Sequence, residues 1–375
     1  MVANLTNFRD SMVSFLRMKS VGVLGLMSGT SLDGLDLCYA EFRKHEEIWT
    51  VSNLITKEIA YSEMWRNELT EAFFLSKDKL EDLHITYGQF LGKESKLFIN
   101  ENTLQSKVAL IASHGHTIFH QPKKGITIQI GAGNEIAKAA NIMVVNDFRT
   151  KDVSLGGQGA PLVPVGDEFL FGQYESCLNL GGIANISFKK NNQRIAYDIC
   201  PCNLPLNKLM RQKYNLQFDK DGVIAKSGKL IPVLFDLLNN LSFYTLNYPK
   251  SLGVEWLNSH FYPIIESHID KGYAISDILY TIVQHETHQI AKSITENNIG
   301  TVLITGGGAY NSFFIHELQK KVKAKIVIPS SEIISFKEAL IFGFLGLLCV
   351  RNEINTFKSV TGASKNSIGG VISYP

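Results

Sequence analysis

The sequence has little net charge and lacks a long hydrophobic run. Its 37 Lys and Arg residues nearly balance 35 Asp and Glu residues, and a net charge of +2 gives no electrostatic reason to expect a nucleic-acid or membrane partner. The longest apolar stretch, Ala339–Val350, is far shorter than the roughly 20 residues that span a bilayer, and it predicts a buried helix. Residues 1–20 lack the hydrophobic segment of a signal peptide. We therefore expect a soluble, cytoplasmic protein.

Cysteine and histidine patterns typical of metal sites are also missing. The five cysteines are odd in number and lack the C-x-x-C spacing, which favours free thiols in a reducing compartment. Cys200-Pro-Cys202 has no second Cys or His pair at matching spacing. His114, His116 and His120 form an H-x-H-x3-H pattern without an evident fourth ligand. The sequence therefore predicts no metal ion held by protein side chains alone.

The remaining composition is that of a globular protein large enough for two domains. Of its 375 residues, 45% are hydrophobic and 19% are charged. A meander of three strands is predicted twice, over 21–26, 35–42 and 48–60, and again over 177–180, 183–188 and 194–199. We expect a first domain of residues 1–147 plus about 360–375, to which Gly369–Ser373 returns as a strand, and a second domain of residues 148–359.

A glycine- and hydroxyl-rich turn, within Gly25–Asp36, joins the first two predicted strands. Glycines let backbone N–H groups approach an anion closely, hydroxyls add donors, and an aspartate in such a turn is a natural ligand for Mg²⁺. The turn lacks the G-K-[ST] of a Walker A loop, and a strand rather than a helix follows. An ordinary hairpin with glycine at its turn positions is the alternative. The predicted nucleotide-binding residues here are Gly29, Thr30, Ser31, Leu32, Asp33, Gly34, Leu35 and Asp36.

Two later segments favour nucleotide binding over the ordinary hairpin. Asn179–Ser187 again predicts strand, glycine turn and strand, and Thr301–Tyr310 predicts a buried strand that ends in three glycines before a helix. Two phosphate hairpins followed by a glycine triplet, against which an adenosine could lie flat, predict an α/β protein of the actin/hexokinase/Hsp70-type ATPase fold. Its two related domains would flank a nucleotide and sugar cleft. The residues assigned to this part of the nucleotide site are Gly181, Gly182, Asn185, Gly306, Gly307 and Gly308.

From about residue 21 to its end, the sequence resembles the anhydro-N-acetylmuramic acid kinases, sugar kinases of peptidoglycan recycling. The resemblance implies an ATP- and Mg²⁺-dependent enzyme that acts on a small sugar and forms a homodimer. The matching stretches, in order, are Met27–Asp36, Ser113–Thr117, Gln129–Gly131, Val145–Arg149, Gly156–Leu162, Asn179–Ser187, Asp198, Pro249–Ser251, Ile304–Gly308 and Lys337–Ala339.

Two carboxylates are the candidate catalytic residues. Asp198 ends a short predicted strand, where it could accept a proton from a nucleophile or, alternatively, cap the following helix. The resemblance implies that Asp198 activates the water that attacks the anomeric carbon. Opening of the 1,6-anhydro bridge would free O6 to take the γ-phosphoryl group of ATP, giving N-acetylmuramic acid 6-phosphate. Glu338 is expected to open the last helix, where it either has only a helix-end role or orients Asp198 or the water.

His116 and Gln158 are the candidate sugar-binding residues. His116 could contact the sugar or be a structural histidine. Gln158, within a glycine-rich loop, could donate its amide to the sugar or stabilise the loop.

The sequence departs from the family pattern at two places. The family's Asp-Thr-Gly-Pro-Gly-Asn is Asp198-Ile-Cys-Pro-Cys-Asn203 here, and its Pro-Lys-Ser-Thr-Gly-Arg-Glu has Val254 in place of arginine. We expect the bulkier residues at 199–202 to narrow the space beside Asp198, and the change at 254 to remove a potential anion contact.

Two other functions are compatible with the same motifs. In a simple hexose or amino-sugar kinase, Asp198 would deprotonate a substrate hydroxyl directly. A catalytically idle sugar sensor of the same fold would bind sugar without turnover. Incorporation of solvent oxygen at C1 of an opened anhydro sugar separates the predicted reaction from both.

Overall fold

The computed structural model describes residues 20–29 and 32–375, so Thr30, Ser31 and residues 1–19 lie outside the described residues. The chain divides into two compact units. The first comprises the described part of Met1–Leu170 together with Phe336–Pro375, and the second is Phe171–Ser335.

The first unit contains a six-stranded sheet in the order β13-β7-β4-β1-β2-β3. Strands β1, β2 and β3 form the predicted antiparallel meander, and β4 and β7 continue the sheet in parallel from β1. The C-terminal strand β13 pairs antiparallel with β7, which confirms the predicted return of the chain end. A separate hairpin joins β5 to β6. The strands are β1 Val21–Ser28, β2 Gly34–His45, β3 Ile48–Ala60, β4 Val108–Ser113, β5 His116–Gln121, β6 Ile126–Ile130, β7 Val144–Asn146 and β13 Val371–Ser373.

The second unit contains a five-stranded sheet in the order β10-β9-β8-β11-β12. Again three antiparallel strands are followed by two parallel ones, so five strands of each sheet share one order. This repetition agrees with the predicted α/β ATPase fold, in which the second half resembles the first. The strands are β8 Ser176–Leu180, β9 Ile183–Lys190, β10 Gln193–Pro201, β11 Thr301–Thr305 and β12 Lys325–Val327.

Helices cover the sheets and complete a separate hydrophobic core in each unit. Those of the first unit are α1 Glu63–Glu71, α2 Lys77–Glu101, α3 Gly133–Ala140, α4 Thr150–Ser154, α5 Pro164–Phe169 and α14 Lys358–Thr361. Those of the second are α6 Asn203–Tyr214, α7 Val223–Ser227, α8 Pro232–Asn239, α9 Val254–Trp256, α10 Tyr262–Asp270, α11 Ile275–Glu296 and α12 Ser312–Gln319. Helix α13, Ser331–Val350, begins in the second unit and continues in the first.

Helix α13 is longer than the apolar run that predicted it. Its 20 residues have the length and hydropathy of a membrane span, yet 78% of the apolar window is buried inside the protein. The helix packs directly on the first sheet: a Cβ on Gly25 would collide with the Ala339 carbonyl, and one on Gly346 would lie 2.5 Å from Ala112 Cβ. These contacts account for the apolar composition as that of a core helix.

The bounds of the compact units differ from the predicted domain bounds. Residues 148–170 and 336–359, which we expected in the second domain, lie in the first unit. Lys337 and Asp167 form a buried ion pair at 2.6 Å, and Asp152 accepts a hydrogen bond from Thr361 at 2.7 Å. The repeated strands that suggested the bounds carry no information about these contacts between helices.

Candidate active site

Polar side chains form a row across four strands of the second sheet. Thr305 is the register partner of Asn179, Asn179 that of Asn185, and Asn185 that of Asp198. Since register partners point to the same face of a sheet, the four side chains are neighbours. The fold therefore brings together two predicted site residues, Asn185 and Asp198. Asn179, which the sequence analysis did not assign to the site, lies between Asn185 and Thr305.

Asp198 is a half-buried carboxylate that the backbone holds in place. The Leu252 N–H donates to its Oδ2 at 2.8 Å, and its own N–H donates to the Lys250 carbonyl at 3.1 Å. Burial raises the pKa of Asp198 to about 6, while the Leu252 N–H acts in the opposite direction. Near neutral pH the group is thus ionised but more basic than an ordinary aspartate, as a general base requires.

The residues that distinguish this chain after Asp198 are directed into the core. Cys200 and Cys202 are fully buried members of the hydrophobic cluster of the second unit. Cys200 donates to the Glu286 carbonyl at 3.8 Å, and burial holds the pKa of the Glu286 carboxyl well above its usual range. All five cysteines are free and buried. That the two thiols narrow the space beside Asp198 remains a prediction.

The second hairpin is a tight turn of two residues. Gly181 and Gly182 accept hydrogen bonds from the backbone N–H groups of Asn203 and Cys202, at 3.1 and 2.9 Å. A Cβ on Gly182 would lie 2.9 Å from Leu204. These hydrogen bonds join the turn to the start of helix α6. The turn follows Asn179 along the chain, and the helix follows Asp198.

The glycine triplet adjoins this turn. Gly306 has a φ of 82°, and a Cβ there would lie 2.5 Å from Asn179 Oδ1, so both backbone and space require glycine. Gly307 has more room, since its Cβ would have a nearest neighbour at 3.8 Å, in Asn203. Gly307–Tyr310 forms a 3-10 turn, and Asn311 then caps the predicted helix by accepting from Phe314 N at 3.0 Å. The open backbone beside Gly307 suits the flat adenosine expected there.

In the first unit, Asp36 is the residue of the first glycine-rich segment whose pKa is shifted. Burial and the negative charges of Glu58, Glu338 and Asp33, in that order, raise its pKa to about 7. Of the other residues predicted for this turn, Gly29, Leu32 and Asp33 lie between β1 and β2, Gly34 and Leu35 begin β2, and Thr30 and Ser31 lie outside the described residues. Carboxylates that repel one another in this way favour a cation among them.

The donor chemistry of this turn fits Mg²⁺ only in company with phosphate. Within residues 20–29 and 32–375, no three or more His, Cys, Asp or Glu side chains are grouped so as to hold a metal ion. Mg²⁺ usually takes one or two carboxylates and completes its shell with water and phosphate oxygens. Asp36 and Asp33 supply those carboxylates, so they fit an ion that arrives with a nucleotide.

Glu338 lies within helix α13, not at its beginning. The helix starts at Ser331, so the expected helix-opening position was wrong, because the polar residues before the apolar run are helical too. The Glu338 side chain is exposed. The surrounding protein nevertheless raises its pKa, while the charges of Arg149 and Lys337 lower it. A helix-end role is thereby removed, and a chemical role is left open.

Arg149 is a charged residue of this region that the sequence analysis quoted only as part of a motif. Its Nε and Nη2 donate to His114 Nε2 at 3.1 and 2.8 Å, and Nη1 donates to the Gly159 carbonyl at 2.6 Å. Burial lowers the pKa of Arg149 to about 10, and the charge of Glu338 opposes that shift. Arg149 therefore remains a cation whose charge is felt by Glu338. A spacing signal for this pairing, across almost 190 residues, is absent from the sequence.

The two predicted sugar-binding residues also lie in the first unit. His116 is buried at the start of β5, its Nδ1 is 2.8 Å from Ser28 Oγ, and burial lowers its pKa to about 4. Gln158 has an exposed side chain, and its backbone N–H donates to the Thr361 carbonyl at 2.8 Å. His116 is thus a neutral imidazole. The hydrogen bond of Gln158 to Thr361 uses only its backbone N–H, so it does not involve the side-chain amide.

Comparison with known proteins identifies the family of the chain. Among solved structures, component A of (R)-2-hydroxyglutaryl-CoA dehydratase from Acidaminococcus fermentans has a TM-score of 0.46 and 13% identity, covering 88% of this chain and 99% of that one. The anhydro-N-acetylmuramic acid kinase of Actinobacillus pleuropneumoniae serotype 7 (strain AP76) is 32% identical, with 94% of this chain and 98% of the relative covered. That of Shewanella frigidimarina (strain NCIMB 400) is 33% identical, with 92% and 96% covered. The family model described as anhydro-N-acetylmuramic acid kinase matches residues 21–375, and the chain belongs to that family.

Proposed function

We propose that the protein is an ATP-dependent kinase of peptidoglycan recycling. It opens 1,6-anhydro-N-acetylmuramic acid by hydrolysis and phosphorylates O6, giving N-acetylmuramic acid 6-phosphate. The observation that carries the proposal is Asp198, a half-buried carboxylate with a pKa of about 6, set in register beside Asn185 and the glycine turn that follows Asn179. Membership of the kinase family supplies the identity of the substrate.

The proposed reaction joins a hydrolytic step to a phosphoryl transfer. Asp198 takes a proton from water as the water oxygen bonds to C1, and the C1–O6 bond breaks with its electron pair moving to O6. O6 then bonds to the γ-phosphorus of ATP while the bond to the β,γ-bridging oxygen breaks and ADP leaves. Phosphoryl transfer of this kind depends on positioning and charge neutralisation more than on covalent help from the protein.

The glycine turns have the role of holding the nucleotide. Backbone N–H groups of the turns at Gly29–Asp36 and Gly181–Gly182 would bind phosphate oxygens, and Gly306–Gly308 would lie against the adenosine. Asp36 and Asp33 would hold Mg²⁺, which supplies charge neutralisation at the phosphates when it is bound. Asn185 extends from the strand after the second turn and would donate its amide to a phosphate.

The remaining predicted residues have supporting roles in this proposal. Glu338 orients the water or Asp198, and its pKa is raised above that of an ordinary glutamate. His116 and Gln158 bind the sugar. We further propose, from the family, that the enzyme works as a cytoplasmic homodimer.

The test is a mass-spectrometric assay with 1,6-anhydro-N-acetylmuramic acid, Mg-ATP and ¹⁸O-labelled water. The proposal requires a phosphorylated product that carries one solvent-derived ¹⁸O. A phosphorylated product without ¹⁸O, formed from an ordinary amino sugar, would identify a simple sugar kinase. Binding of the anhydro sugar with no product, in a protein that also binds ATP, would identify a sensor.

A further inference from the structure

A chain of buried hydroxyl groups leads to His116. Tyr87, Tyr61, Ser28 and His116 are each at most 3% exposed. The Tyr61 hydroxyl lies 2.5 Å from that of Tyr87 and donates to Ser28 Oγ at 2.7 Å, and Ser28 Oγ is 2.8 Å from His116 Nδ1. Of these four residues, the sequence analysis assigned a role to His116 alone.

Counting hydrogens sets the direction of the Tyr87–Tyr61 and Tyr61–Ser28 hydrogen bonds. Tyr61 uses its one hydroxyl hydrogen on Ser28, so Tyr87 must donate to Tyr61. Ser28 accepts from Tyr61 and has one hydrogen of its own. That hydrogen can go to His116 Nδ1, which is 2.8 Å from Ser28 Oγ, or to the Tyr87 hydroxyl, which also bonds Ser28. When it goes to His116, donation runs from Tyr87 to Tyr61, Ser28 and His116, which leaves the imidazole proton on Nε2.

His114, two residues away, is held in the opposite tautomer. Its Nδ1 lies 2.9 Å from the Gly115 carbonyl, which can only accept, so Nδ1 carries the proton. Its Nε2 receives two N–H groups of Arg149, which can only donate. Both ring nitrogens of His114 thus form hydrogen bonds, and His114 holds Arg149. In His116 the chain of hydroxyl groups ends at Nδ1.

We propose that Tyr61, Ser28 and Tyr87 are positioning residues that fix His116 as an Nε2–H donor to an acceptor oxygen of the sugar substrate. The identity of the ligand rests on the proposed function, whereas the tautomer of His116 does not. A neutral N–H donor selects a carbonyl, ether or carboxylate oxygen by direction rather than by charge. Loss of the hydroxyl chain would let the proton move to Nδ1, turning the sugar-facing nitrogen from donor to acceptor.

The first test measures the tautomers directly, in the full-length protein labelled with ¹⁵N-histidine. Long-range ¹H–¹⁵N correlation spectra report which nitrogen of each ring is protonated, and the His114 and His116 signals are assigned from H114Q and H116Q. We expect Nε2–H for His116 and Nδ1–H for His114 in the absence of any ligand. A His116 proton on Nδ1 would overturn the proposal whatever the enzyme's activity, whereas failure of the ¹⁸O assay would leave this result standing.

The second test asks whether the chain matters for sugar use. In Tyr61→Phe we expect a mixed His116 tautomer and a loss of about 5- to 20-fold in kcat/KM for the sugar, mostly through KM, with the KM for ATP within about 2-fold of the unaltered enzyme. Tyr39→Phe is the matched control, since Tyr39 is equally buried in the same unit but bonds Glu41. Equal effects of the two variants, or a Tyr61→Phe effect on kcat alone with the tautomer unchanged, would contradict the proposal.

Two substitutions at His116 itself separate its nitrogens. The glutamine amide nitrogen can take the place of Nε2, and that of asparagine the place of Nδ1. We expect His116→Gln to retain sugar KM within about 10-fold and His116→Asn to lose roughly a further 10-fold. The reverse order would show that Nδ1, not Nε2, is the nitrogen that the sugar requires.

Discussion

The two sheets place different side chains at equivalent register positions. In each meander the residue two positions before the glycine of the turn pairs with a residue on the second strand, which pairs with one on the third. The first row is Met27, Asp36 and Glu58, and the second is Asn179, Asn185 and Asp198. Both rows thus end in a carboxylate on the outer strand of the meander.

The surroundings of these two carboxylates differ. Glu58 is exposed on β3, which is the edge strand of its sheet. Asp198 lies on the equivalent edge strand β10, but the segment at Lys250–Leu252 covers it and fixes it through two backbone hydrogen bonds. The comparison teaches that a covering segment, more than the position on the sheet, decides whether such a carboxylate is held in place. The first turns of the two meanders also differ in length: residues 29–33 form the first and residues 181–182 the second.

Replacing Asp198 should have the largest effect on activity. We expect Asp198→Asn to lower kcat by about 10²- to 10⁴-fold, the usual contribution of a general base, while the Kd for ATP changes by less than about 3-fold. Glu58→Gln, at the equivalent position, should leave kcat within about 2-fold. Steady-state kinetics and calorimetric ATP binding measure both. A comparable loss of ATP affinity in Asp198→Asn would show that Asp198 is structural.

The same variant should be more stable than the unaltered protein. Because burial raises the pKa of Asp198 from 3.8 to about 6, the folded state binds its proton more tightly than the unfolded state. The stabilisation from that proton is complete below pH 3.8 and is lost as pH rises through 6. At pH 7.5 we expect Asp198→Asn, which stays neutral, to gain about 1–2 kcal/mol in unfolding free energy, measured by urea denaturation. Glu58→Gln should show no such gain.

The pH profile should show the raised pKa of Asp198 in catalysis. As pH falls below about 6 the base becomes protonated, so kcat/KM for the sugar should decline about tenfold per pH unit, reaching about 100-fold at pH 4. The residual activity of Asp198→Asn should lack this limb, and Glu58→Gln should retain it. An acid limb that persists unchanged in Asp198→Asn would assign the titration to another group.

Two neighbouring glycines should separate a folding requirement from a binding requirement. Gly306→Ala places a Cβ 2.5 Å from Asn179 Oδ1 at a φ of 82°, and we expect a loss of about 1–3 kcal/mol in unfolding free energy. Gly307→Ala has room for its Cβ, with the nearest atom at 3.8 Å, and should fold normally. If adenosine lies against Gly307, the KM of the Gly307→Ala enzyme for ATP should rise about 10-fold. Unchanged ATP KM in Gly307→Ala would move the adenosine elsewhere.

Much of the sheet architecture could be predicted from the sequence. Short apolar runs gave both meanders, because strands need few residues and glycines mark the first turn of each meander. The bounds of the units could not be predicted in the same way. They depend on packing such as that of Ala339 on Gly25, a contact across more than 300 residues that no local pattern encodes.

The glycine turns indicated Asp36 from the residue pattern, whereas Asp198 was assigned as the base from the family resemblance. Burial raises the pKa of both carboxyls, and their roles stay predictions. Arg149 and the hydroxyl chain to His116 escaped notice, since their roles arise from contacts between distant strands and loops. The position of Glu338 at the start of the helix was predicted wrongly, because polar residues before the apolar run continue the helix to Ser331 and helix ends are poorly determined boundaries.

The smallest expected effect comes from making the middle of the first row like that of the second. Asp36→Asn gives the first sheet the side chain that Asn185 provides in the second, and it removes the carboxylate whose pKa of about 7 reflects burial and crowding by Glu58, Glu338 and Asp33. We expect the Mg²⁺ concentration for half-maximal rate to rise about 5-fold, while kcat at saturating Mg²⁺ stays within about 3-fold. Titration of Mg²⁺ at fixed ATP measures this, with Glu58→Gln as the control for altered charge alone. A kcat that falls as steeply as in Asp198→Asn would instead make Asp36 part of the proton transfer, and the two rows would then share one kind of chemistry.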